Sequence, residues 1–179
     1  LRAQPLDVNE LVREVIAITR YEVQRSRISL KTRLADELPY VPGDRVQLQQ
    51  VVLNLMLNAI EATREIDDRP RQVSITTRLH GQEVVVEVRD SGIGFTLDSR
   101  GRLFEAFYTT KKGGLGMGLS ISKSIVETHG GRMSATLNEP HGAVLQFSLP
   151  ISADDGTLGA TGEANASGSY SPPPRRSNP

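Results

Sequence analysis

The sequence contains no cysteine and has no excess of charge of either sign. Without cysteine, disulfides, zinc thiolate centres and thiol nucleophiles are excluded, and the composition fits a reducing compartment, so we expect a cytoplasmic location. Lys and Arg together number 21, as do Asp and Glu, so no global charge draws the chain to nucleic acid or an anionic membrane. No apolar run approaches the roughly 18–20 residues that a membrane span needs. The 179 residues suffice for one domain with a substantial core.

The two ends of the chain differ from its middle. The sequence begins at Leu1 without a start methionine or signal peptide, so we expect a fragment of a longer protein. Residues 1–5 are predicted to be the remnant of a preceding element. The stretch 151–179 is rich in Ser, Gly, Ala and Pro, which predicts a disordered tail because it has little to bury. The domain itself is expected over residues 6–150.

Apolar periodicity between these ends predicts helices and strands in a mixed order. Two capping boxes, Asp7 with Glu10 and Asp44 with Gln47, mark the starts of two helices. The predicted elements are a helix over 7–26, a strand over 28–34, a turn over 39–43, a helix over 47–62, a charged connector over 64–70, a hairpin over 72–79 and 83–89, a long connection over 95–114, a helix over 120–129, and strands over 132–137 and 143–149. This order predicts an α/β fold: a two-layer α/β sandwich with a mixed, largely antiparallel sheet and helices on one face.

The second predicted helix carries a polar stripe on a mostly apolar surface. Four polar residues recur at spacings of four, four and three: Gln50, Asn54, Asn58 and Glu61. At about 100° per residue they lie along one side of the helix. A buried amide without a partner costs roughly 1–3 kcal/mol, so the stripe needs a ligand or water. Two asparagines one turn apart, with a carboxylate below, offer oxygen ligands to a cation such as Mg²⁺. A stripe that simply faces water is the alternative.

A second candidate site follows the predicted hairpin. Asp90 comes directly after a strand and is followed by Gly92 and Gly94. Strand ends are frequent positions for functional residues. The two glycines let backbone pass close to a ligand or adopt positive φ, and the aspartate can accept a hydrogen bond from an exocyclic amine. A simple Asp-Ser-Gly turn is the alternative.

The long connection over 95–114 has the features of a lid. Connections of this length in compact domains tend to be lids or binding loops. Phe104 and Phe107, three residues apart, suit a short helical turn that packs on the body of the domain. Thr110 and Lys111 follow and supply a hydroxyl and a cation. A solvated lysine pair on an ordinary loop is the alternative.

A glycine-rich loop comes directly after this connection. Four glycines fall within residues 113–118, interleaved with Leu115 and Met117, and a helical pattern follows. Each glycine fixed in regular structure costs roughly 0.5–1 kcal/mol relative to alanine, so four of them need a reason. A loop of bare amides at a helix N-terminus is a ready anion site, because free N–H groups and the helix dipole both face the ligand. A flexible linker is the alternative.

Four motifs stand in a fixed order in this chain. They are Asn54-x-x-x-Asn58-Ala59, Asp90-x-Gly92-x-Gly94, Phe104-x-x-Phe107-Tyr108-Thr109-Thr110-Lys111 and Gly114-x-Gly116-x-Gly118-Leu119. Over residues 6–150 the set resembles the N, G1, F and G2 boxes of the ATP-binding catalytic domain of sensor histidine kinases. That family belongs with gyrase, the mismatch-repair ATPases and a heat-shock chaperone in one superfamily, which implies an α/β sandwich with a mobile ATP lid. The Asn-Ala-x-Glu-Ala sequence at Glu61 is similar to the nitrogen- and oxygen-sensing branch.

The resemblance implies a role for each matching residue. Asn58 would coordinate Mg²⁺ through its side-chain oxygen, and Asn54 would lie beside the phosphates or a metal-bound water. Asp90 would accept the adenine amine, while Gly92 and Gly94 would let the backbone approach the base. The role of Glu61 stays open, either an indirect partner of the metal or ordinary helix surface.

The same resemblance places the phosphates of ATP between the lid and the glycine loop. Lys111, with Thr110, would reach the outer phosphates, which makes Asn54, Asn58 and Lys111 the expected catalytic residues. The glycine loop would present its amides to the nucleotide. Its expected contact residues are Gly114, Leu115, Gly116, Met117, Gly118 and Leu119.

The identity of residue 54 bears on the reaction. ATP-hydrolysing members of the superfamily have a glutamate general base where Asn54 stands. An amide cannot take a proton from water near neutral pH, so hydrolysis is disfavoured and transfer to a protein is favoured. In the family the acceptor is a histidine on a separate dimerising helix pair, and the resemblance implies that residues 1–5 are the remnant of that pair. All three histidines of this chain precede glycine in predicted turns or caps, so we expect none to be the acceptor: His80, His129 and His141.

The expected function is therefore donation of the γ-phosphoryl group of Mg-ATP to a histidine on a dimerisation domain of the same parent protein, in two-component signal transduction. A response regulator would be an indirect partner. The fragment is expected to be a monomer and its parent a homodimer, with membrane attachment of the parent left open. Two alternatives remain: an ATP-gated interaction module without transfer, and a serine-directed kinase of the anti-sigma type.

Overall fold

A five-stranded mixed sheet carries three helices on one face. The computed structural model describes residues 4–96, 99, 101–108 and 116–151. Within them the helices are α1 (Val8–Arg25), α2 (Arg45–Arg64) and α3 (Gly118–Thr128). The strands are β1 (Gln4–Leu6), β2 (Ser29–Leu34), β3 (Val41–Gly43), β4 (Gln72–His80), β5 (Glu83–Asp90), β6 (Arg132–Leu137) and β7 (Ala143–Pro150). The predicted two-layer α/β sandwich is confirmed.

The main sheet has the order β2-β4-β5-β7-β6. Only β2 pairs in parallel, with β4, and the other neighbours in this sheet are antiparallel, so the mixed and largely antiparallel character is as predicted. The predicted hairpin of β4 and β5 is confirmed, with Val73 opposite Asp90 at one end and His80 opposite Glu83 at the other. Its turn uses Gly81 at a φ of +61°, a conformation that glycine adopts without strain.

Both predicted capping residues occupy the N-cap positions of their helices. The Asp7 carboxylate accepts a hydrogen bond from the backbone N–H of Glu10, 3.1 Å away, and precedes α1. Asp44 accepts one from the backbone N–H of Gln47 at the same distance and precedes α2. Such caps satisfy backbone donors that a helix leaves without partners and contribute about 1 kcal/mol each.

The core lies between α2 and the inner face of the sheet. The largest fully buried side chains include Leu48, Leu55, Met56 and Ile60 of α2, with Ile75 and Phe147 from the sheet. Full burial of such a side chain contributes roughly 1.5–3 kcal/mol. α2 is therefore held rigidly, which fixes the positions of its polar residues. Among the described residues, no helix combines the length and apolarity that a membrane span requires.

The predicted turn over 39–43 is corrected by the structure. Gln4–Leu6 and Val41–Gly43 form a two-stranded antiparallel sheet, with Pro5 opposite Pro42. Three-residue strands are too short to show an alternating pattern, and proline is depleted in strands. The remnant predicted over residues 1–5 stays a prediction, because residues 1–3 lie outside the described residues. Apart from Ile151, the stretch predicted to be a disordered tail lies outside the described residues.

A buried hydrogen-bond network attaches α1 to the sheet. The Thr77 hydroxyl donates to Asn9 Oδ1 at 2.7 Å, and Asn9 Nδ2 donates to the backbone oxygen of Ala35 at 2.8 Å. The backbone N–H of Ala35 also donates to Thr77 Oγ1, at 3.1 Å. Asn9 and Thr77 are buried, where water cannot reach their polar atoms. The network therefore supplies the hydrogen-bond partners that water would otherwise provide.

We expect Thr77→Val to lower the free energy of unfolding by about 1–3 kcal/mol, because it leaves Asn9 Oδ1 buried without this donor. Thr76→Val is the matched control, since the Thr76 side chain is only half-buried on the opposite face of the same strand. Urea denaturation followed by circular dichroism measures both. Equal stability of the two variants would contradict a structural role for the network.

Candidate functional site

α2 and the start of α3 meet at Asn54. Asn54 Nδ2 donates a hydrogen bond to Ser122 Oγ at 2.9 Å, and Ser122 is only 1% exposed. A Cβ added at Gly118 would lie 2.5 Å from Asn54 Oδ1, closer than real Cβ atoms approach. The absence of a side chain at Gly118 therefore lets the helix approach the asparagine. The structure thus brings together two motifs that lie more than sixty residues apart in the sequence.

The N-terminus of α3 lies at this contact. Met117 precedes the helix and forms no side-chain hydrogen bond that caps it. The first backbone N–H groups of a helix have no partner within the helix, and together with the helix dipole they favour an anion. Because Asn54 lies against Gly118, an anion bound at this N-terminus would also reach the asparagine side chain. This geometry fits the predicted phosphate-binding role of the glycine loop.

Phe107, within the predicted lid, lies against the glycine loop. The backbone N–H of Phe107 donates to the backbone oxygen of Gly116 at 2.9 Å. Gly116 adopts a φ of +66°, and a Cβ there would lie 2.6 Å from the Phe107 carbonyl carbon. The predicted contact residues Thr110, Lys111, Gly114 and Leu115 lie outside the described residues. A backbone hydrogen bond thus joins Phe107, which precedes these residues, to Gly116, which follows them.

Asp90 is buried at the end of β5. It is 4% exposed, and its Oδ1 accepts hydrogen bonds from the backbone N–H groups of Gly92, at 2.8 Å, and of Ala143, at 3.3 Å. Asn138 Nδ2 donates to the backbone oxygen of Asp90 at 2.7 Å. The two bonds to Oδ1 hold the carboxylate in one orientation, and the Asn138 bond fixes the backbone beside it. The Asp-Ser-Gly turn considered as an alternative does form, and it fixes the side chain predicted to accept the adenine amine.

The two glycines after Asp90 have packing roles within the protein. A Cβ at Gly92 would lie 2.6 Å from the backbone carbon and oxygen of Ala62, near the end of α2. Gly94 has a φ of +66°, and a Cβ there would lie 2.8 Å from the backbone oxygen of Gly142. The sequence predicted close approach to a ligand or a positive φ. Gly94 has the positive φ, and the close approaches that the structure describes are to protein backbone. Both glycines thereby fix the loop against α2 and the β6–β7 turn.

Arg69 also holds this loop, and it was not anticipated. Its Nη2 donates to the backbone oxygen of Gly92 at 3.0 Å and its Nε to that of Ser91 at 3.3 Å. The planar guanidinium can bind two adjacent carbonyls because its donors form a rigid fork. Arg69 lies in the charged connector, where nothing in the sequence distinguishes it from the other arginines.

Asn58 lies midway between the two contacts of α2. It follows Asn54 by four residues and precedes Ala62 by four, which places each neighbour about 6 Å away along the helix axis. Asn58 is half-buried with its Nδ2 buried, and Glu61 is exposed. One side of α2 therefore carries, in order, the contact to the glycine loop, the predicted metal ligand and the contact to the Asp90 loop.

The metal-ligating groups of this site suit an ion that is bound mainly by the phosphates of a nucleotide. Among the described residues, no group of three or more His, Cys, Asp or Glu side chains could hold a metal. Mg²⁺ in nucleotide sites usually keeps several waters and takes one or two protein ligands in addition to phosphate oxygens. A single amide oxygen, from Asn58, fits that pattern.

His129 occupies the cap position predicted from the sequence. It follows the last residue of α3. Its Nε2 accepts from the backbone N–H of Asp44 at 3.0 Å, and its Nδ1 lies 2.8 Å from the backbone oxygen of Ile125. An N–H on one side and a carbonyl on the other require the neutral imidazole with its proton on Nδ1. The ring thus joins the end of α3 to the start of α2.

Comparisons with known proteins match this chain to histidine kinases and related ATPases. Residues 43–153 match the family model described as histidine kinase-, DNA gyrase B- and HSP90-like ATPase. The sensor histidine kinase TmoS of Ectopseudomonas mendocina is 39% identical over 151 residues, 83% of this chain and 16% of that protein. The sensor protein FixL of Bradyrhizobium diazoefficiens is 40% identical over 149 residues, 83% of this chain and 29% of that protein. The chain thus spans less than a third of either relative.

Solved structures agree with the sequence relatives. The catalytic domain of histidine kinase ThkA matches with a TM-score of 0.75 and 33% identity, covering 84% of this chain and 96% of that chain. ThkA in complex with the response regulator protein TrrA matches with a TM-score of 0.72 and 31% identity, covering 84% of this chain and 42% of that chain.

We expect Gly118→Ala to destabilise the protein, although alanine ordinarily favours a helix over glycine by about 1 kcal/mol. The new methyl group would displace Asn54 and break its bond to Ser122, which should lower the melting temperature by roughly 2–4 °C or more. Gly101→Ala is the matched control, because a Cβ at Gly101 meets nothing within 4 Å. A melting temperature for Gly118→Ala at or above that of the control would contradict the contact.

Proposed function

The chain belongs to the histidine kinase-, DNA gyrase B- and HSP90-like ATPase family, and from this premise we propose that it binds Mg-ATP beside α2 and donates the γ-phosphoryl group to a histidine on a separate domain. The observation that carries the proposal is the contact of Asn54 with both Ser122 and Gly118. That contact sets an amide side chain against the N-terminus of α3, where an anion is stabilised.

The proposed position of the nucleotide follows α2. The adenine amine would donate to the buried Asp90 carboxylate, near the end of α2. The phosphates would lie at the start of α3, where Gly116 and Met117 lead into the helix and Gly118 and Leu119 begin it. Asn58, between these two places, would hold the Mg²⁺ that the phosphates bring. The ion would neutralise phosphate charge, which is most of what phosphoryl transfer asks of a site.

The residue types favour transfer over hydrolysis. The Asn54 amide donates to Ser122, and no amide can act as a general base near neutral pH. Water bound near the γ-phosphate would therefore gain no nucleophilicity from residue 54. Lys111, and Thr110 beside it, are proposed to reach the outer phosphates and to stabilise the charge that develops during transfer.

The partners are proposed from the relatives. TmoS and FixL are named sensors, and ThkA was solved with a response regulator. We therefore assign the acceptor histidine to a dimerisation domain of the longer parent protein, with a response regulator as the subsequent acceptor. The parent would be a homodimer with this domain in the cytoplasm.

The transfer assay supplies a dimerisation domain of the same parent protein in trans with ATP labelled at the γ-phosphate. We expect acid-labile label on a histidine of that domain, because phosphohistidine hydrolyses in acid whereas phosphoserine does not. Acid-stable label would instead identify a serine-directed kinase. ATP binding without any label on the partner would identify an interaction module that is gated by nucleotide.

We expect Asn58→Ala to weaken Mg²⁺-dependent ATP binding by about tenfold or more, through loss of a metal ligand. Gln50→Ala is the matched control, since Gln50 is an exposed amide on the same side of α2. Isothermal titration with and without Mg²⁺ separates the metal-dependent part of the affinity. Equal affinities of the two variants in Mg²⁺ would remove the metal assignment.

A further inference from the structure

The face of the main sheet that lies opposite the helices is basic, and we call it the outer sheet face. Its outward-facing cations are Lys31, Arg33, Arg78, Arg89 and Arg132, and its outward-facing carboxylates are Glu83 and Glu87. Asp90 also lines the groove, but it lies opposite Val73 in the strand register and is buried. Five cations against two carboxylates leave an excess of three positive charges, although the net charge of the whole chain is zero. The charges of the protein are therefore segregated, and this face has the potential to attract an anionic partner.

The strand register places these cations around a polar floor. Ser74 on β4 lies between Lys31 on β2 and Arg89 on β5, in one row across the sheet. In the next outward-facing row, Thr76 lies between Arg33 and Glu87. Neighbouring strands are about 4.8 Å apart, so Lys31 and Arg89 flank a floor about 10 Å wide. An open groove of about 510 Å³ lies over this floor.

Glu87 holds two of the arginines in position. The Glu87 side chain is 15% exposed, and its carboxylate oxygens lie 3.2 Å from a guanidinium nitrogen of Arg78 and 3.2 Å from one of Arg89. Arg78 also donates to Gln146 Oε1 at 3.3 Å and Arg89 to Asn138 Oδ1 at 3.1 Å. Each guanidinium has five donors, so donors remain for a ligand after these bonds. The two groups are pre-organised, which lowers the entropy cost of binding.

The edge strand β2 supplies two cations that no ion pair among the described residues holds in place. Lys31 and Arg33 are exposed on β2, and neither forms an ion pair within the part of the chain that the structure describes. A ligand at the groove would therefore meet fixed guanidinium groups on one side and long, adaptable side chains on the other.

We propose that the outer sheet face docks an acidic, extended segment of a protein. The hydroxyl groups of the floor, Ser74 and Thr76, can hydrogen-bond a peptide main chain, and the Gln146 amide lies beside them on the same face. The described residues that line the groove include no aromatic side chain on which bases could stack. Glu83 and Glu87 lie among the cations and would repel a uniform polyanion, whereas a protein segment can place a cation or a neutral residue opposite them.

This surface lies on the face of the sheet opposite α2 and α3, which carry the other residues of the proposed nucleotide site. The two sites meet at Asp90, whose backbone oxygen accepts from Asn138, and both residues also line the groove. The proposal concerns a partner of the domain and does not depend on phosphoryl transfer.

The test uses the whole 179-residue chain and a fluorescein-labelled peptide of alternating Glu and Ser, with binding measured by fluorescence anisotropy. The test variant is Lys31→Glu with Arg33→Glu. The matched control is Arg13→Glu with Arg20→Glu, which makes the same change of charge on the exposed surface of α1. We expect the test variant to bind about tenfold more weakly than the control, because attraction at the groove becomes repulsion.

Both variants should keep the melting temperature and ATP affinity of the unsubstituted 179-residue chain, because the four substituted side chains are exposed. Binding of the peptide should weaken as salt is added. Equal losses in the two variants would mean that only net charge matters and would overturn the proposal. Failure of the peptide to bind would also overturn it, as would tighter binding of duplex DNA or of phosphatidylserine vesicles to the same groove.

Discussion

The hydrogen bond between Asn54 and Ser122 is the contact on which the site depends. It joins Asn54, in the middle of the buried helix α2, to Ser122 of α3. α3 begins at Gly118, four residues before Ser122. Gly118 permits this contact, because any side chain there would occupy the space of the Asn54 amide. From this point the geometry of α2 sets the rest: Asn58 lies one turn further along, and Ala62 contacts the Asp90 loop one turn beyond that.

Much of this arrangement could be predicted from local patterns. The caps at Asp7 and Asp44, the hairpin and the polar stripe of α2 all depend on spacings of two to four residues, which sequence displays directly. The pairing of β1 with β3 could not be predicted, because it joins two three-residue segments that lie far apart in the sequence and contain proline. Arg69 was missed for a related reason: its partners are backbone carbonyls, and these have no sequence signature.

The glycines are required for different structural reasons at different positions. Gly118 makes room for a side chain, Gly92 for the backbone of α2, and Gly116 for the backbone of Phe107 within the predicted lid. The sequence indicated close approach or a positive φ for Gly92, and bare amides at a helix N-terminus for Gly116 and Gly118. It could not specify which neighbouring groups each glycine meets. In the same way the Asp90 turn and the acceptor role of Asp90 are compatible, since the turn orients the carboxylate.

The most direct measurement of the central claim is an NMR titration of the ¹⁵N-labelled chain with Mg-ADP. The account predicts that the amide signals of Asn58, Asp90 and residues 116–119 shift together and saturate at one common nucleotide concentration, because they surround one ligand. Shifts confined to the outer sheet face, or signals of Asp90 and Gly118 that saturate at different concentrations, would contradict it.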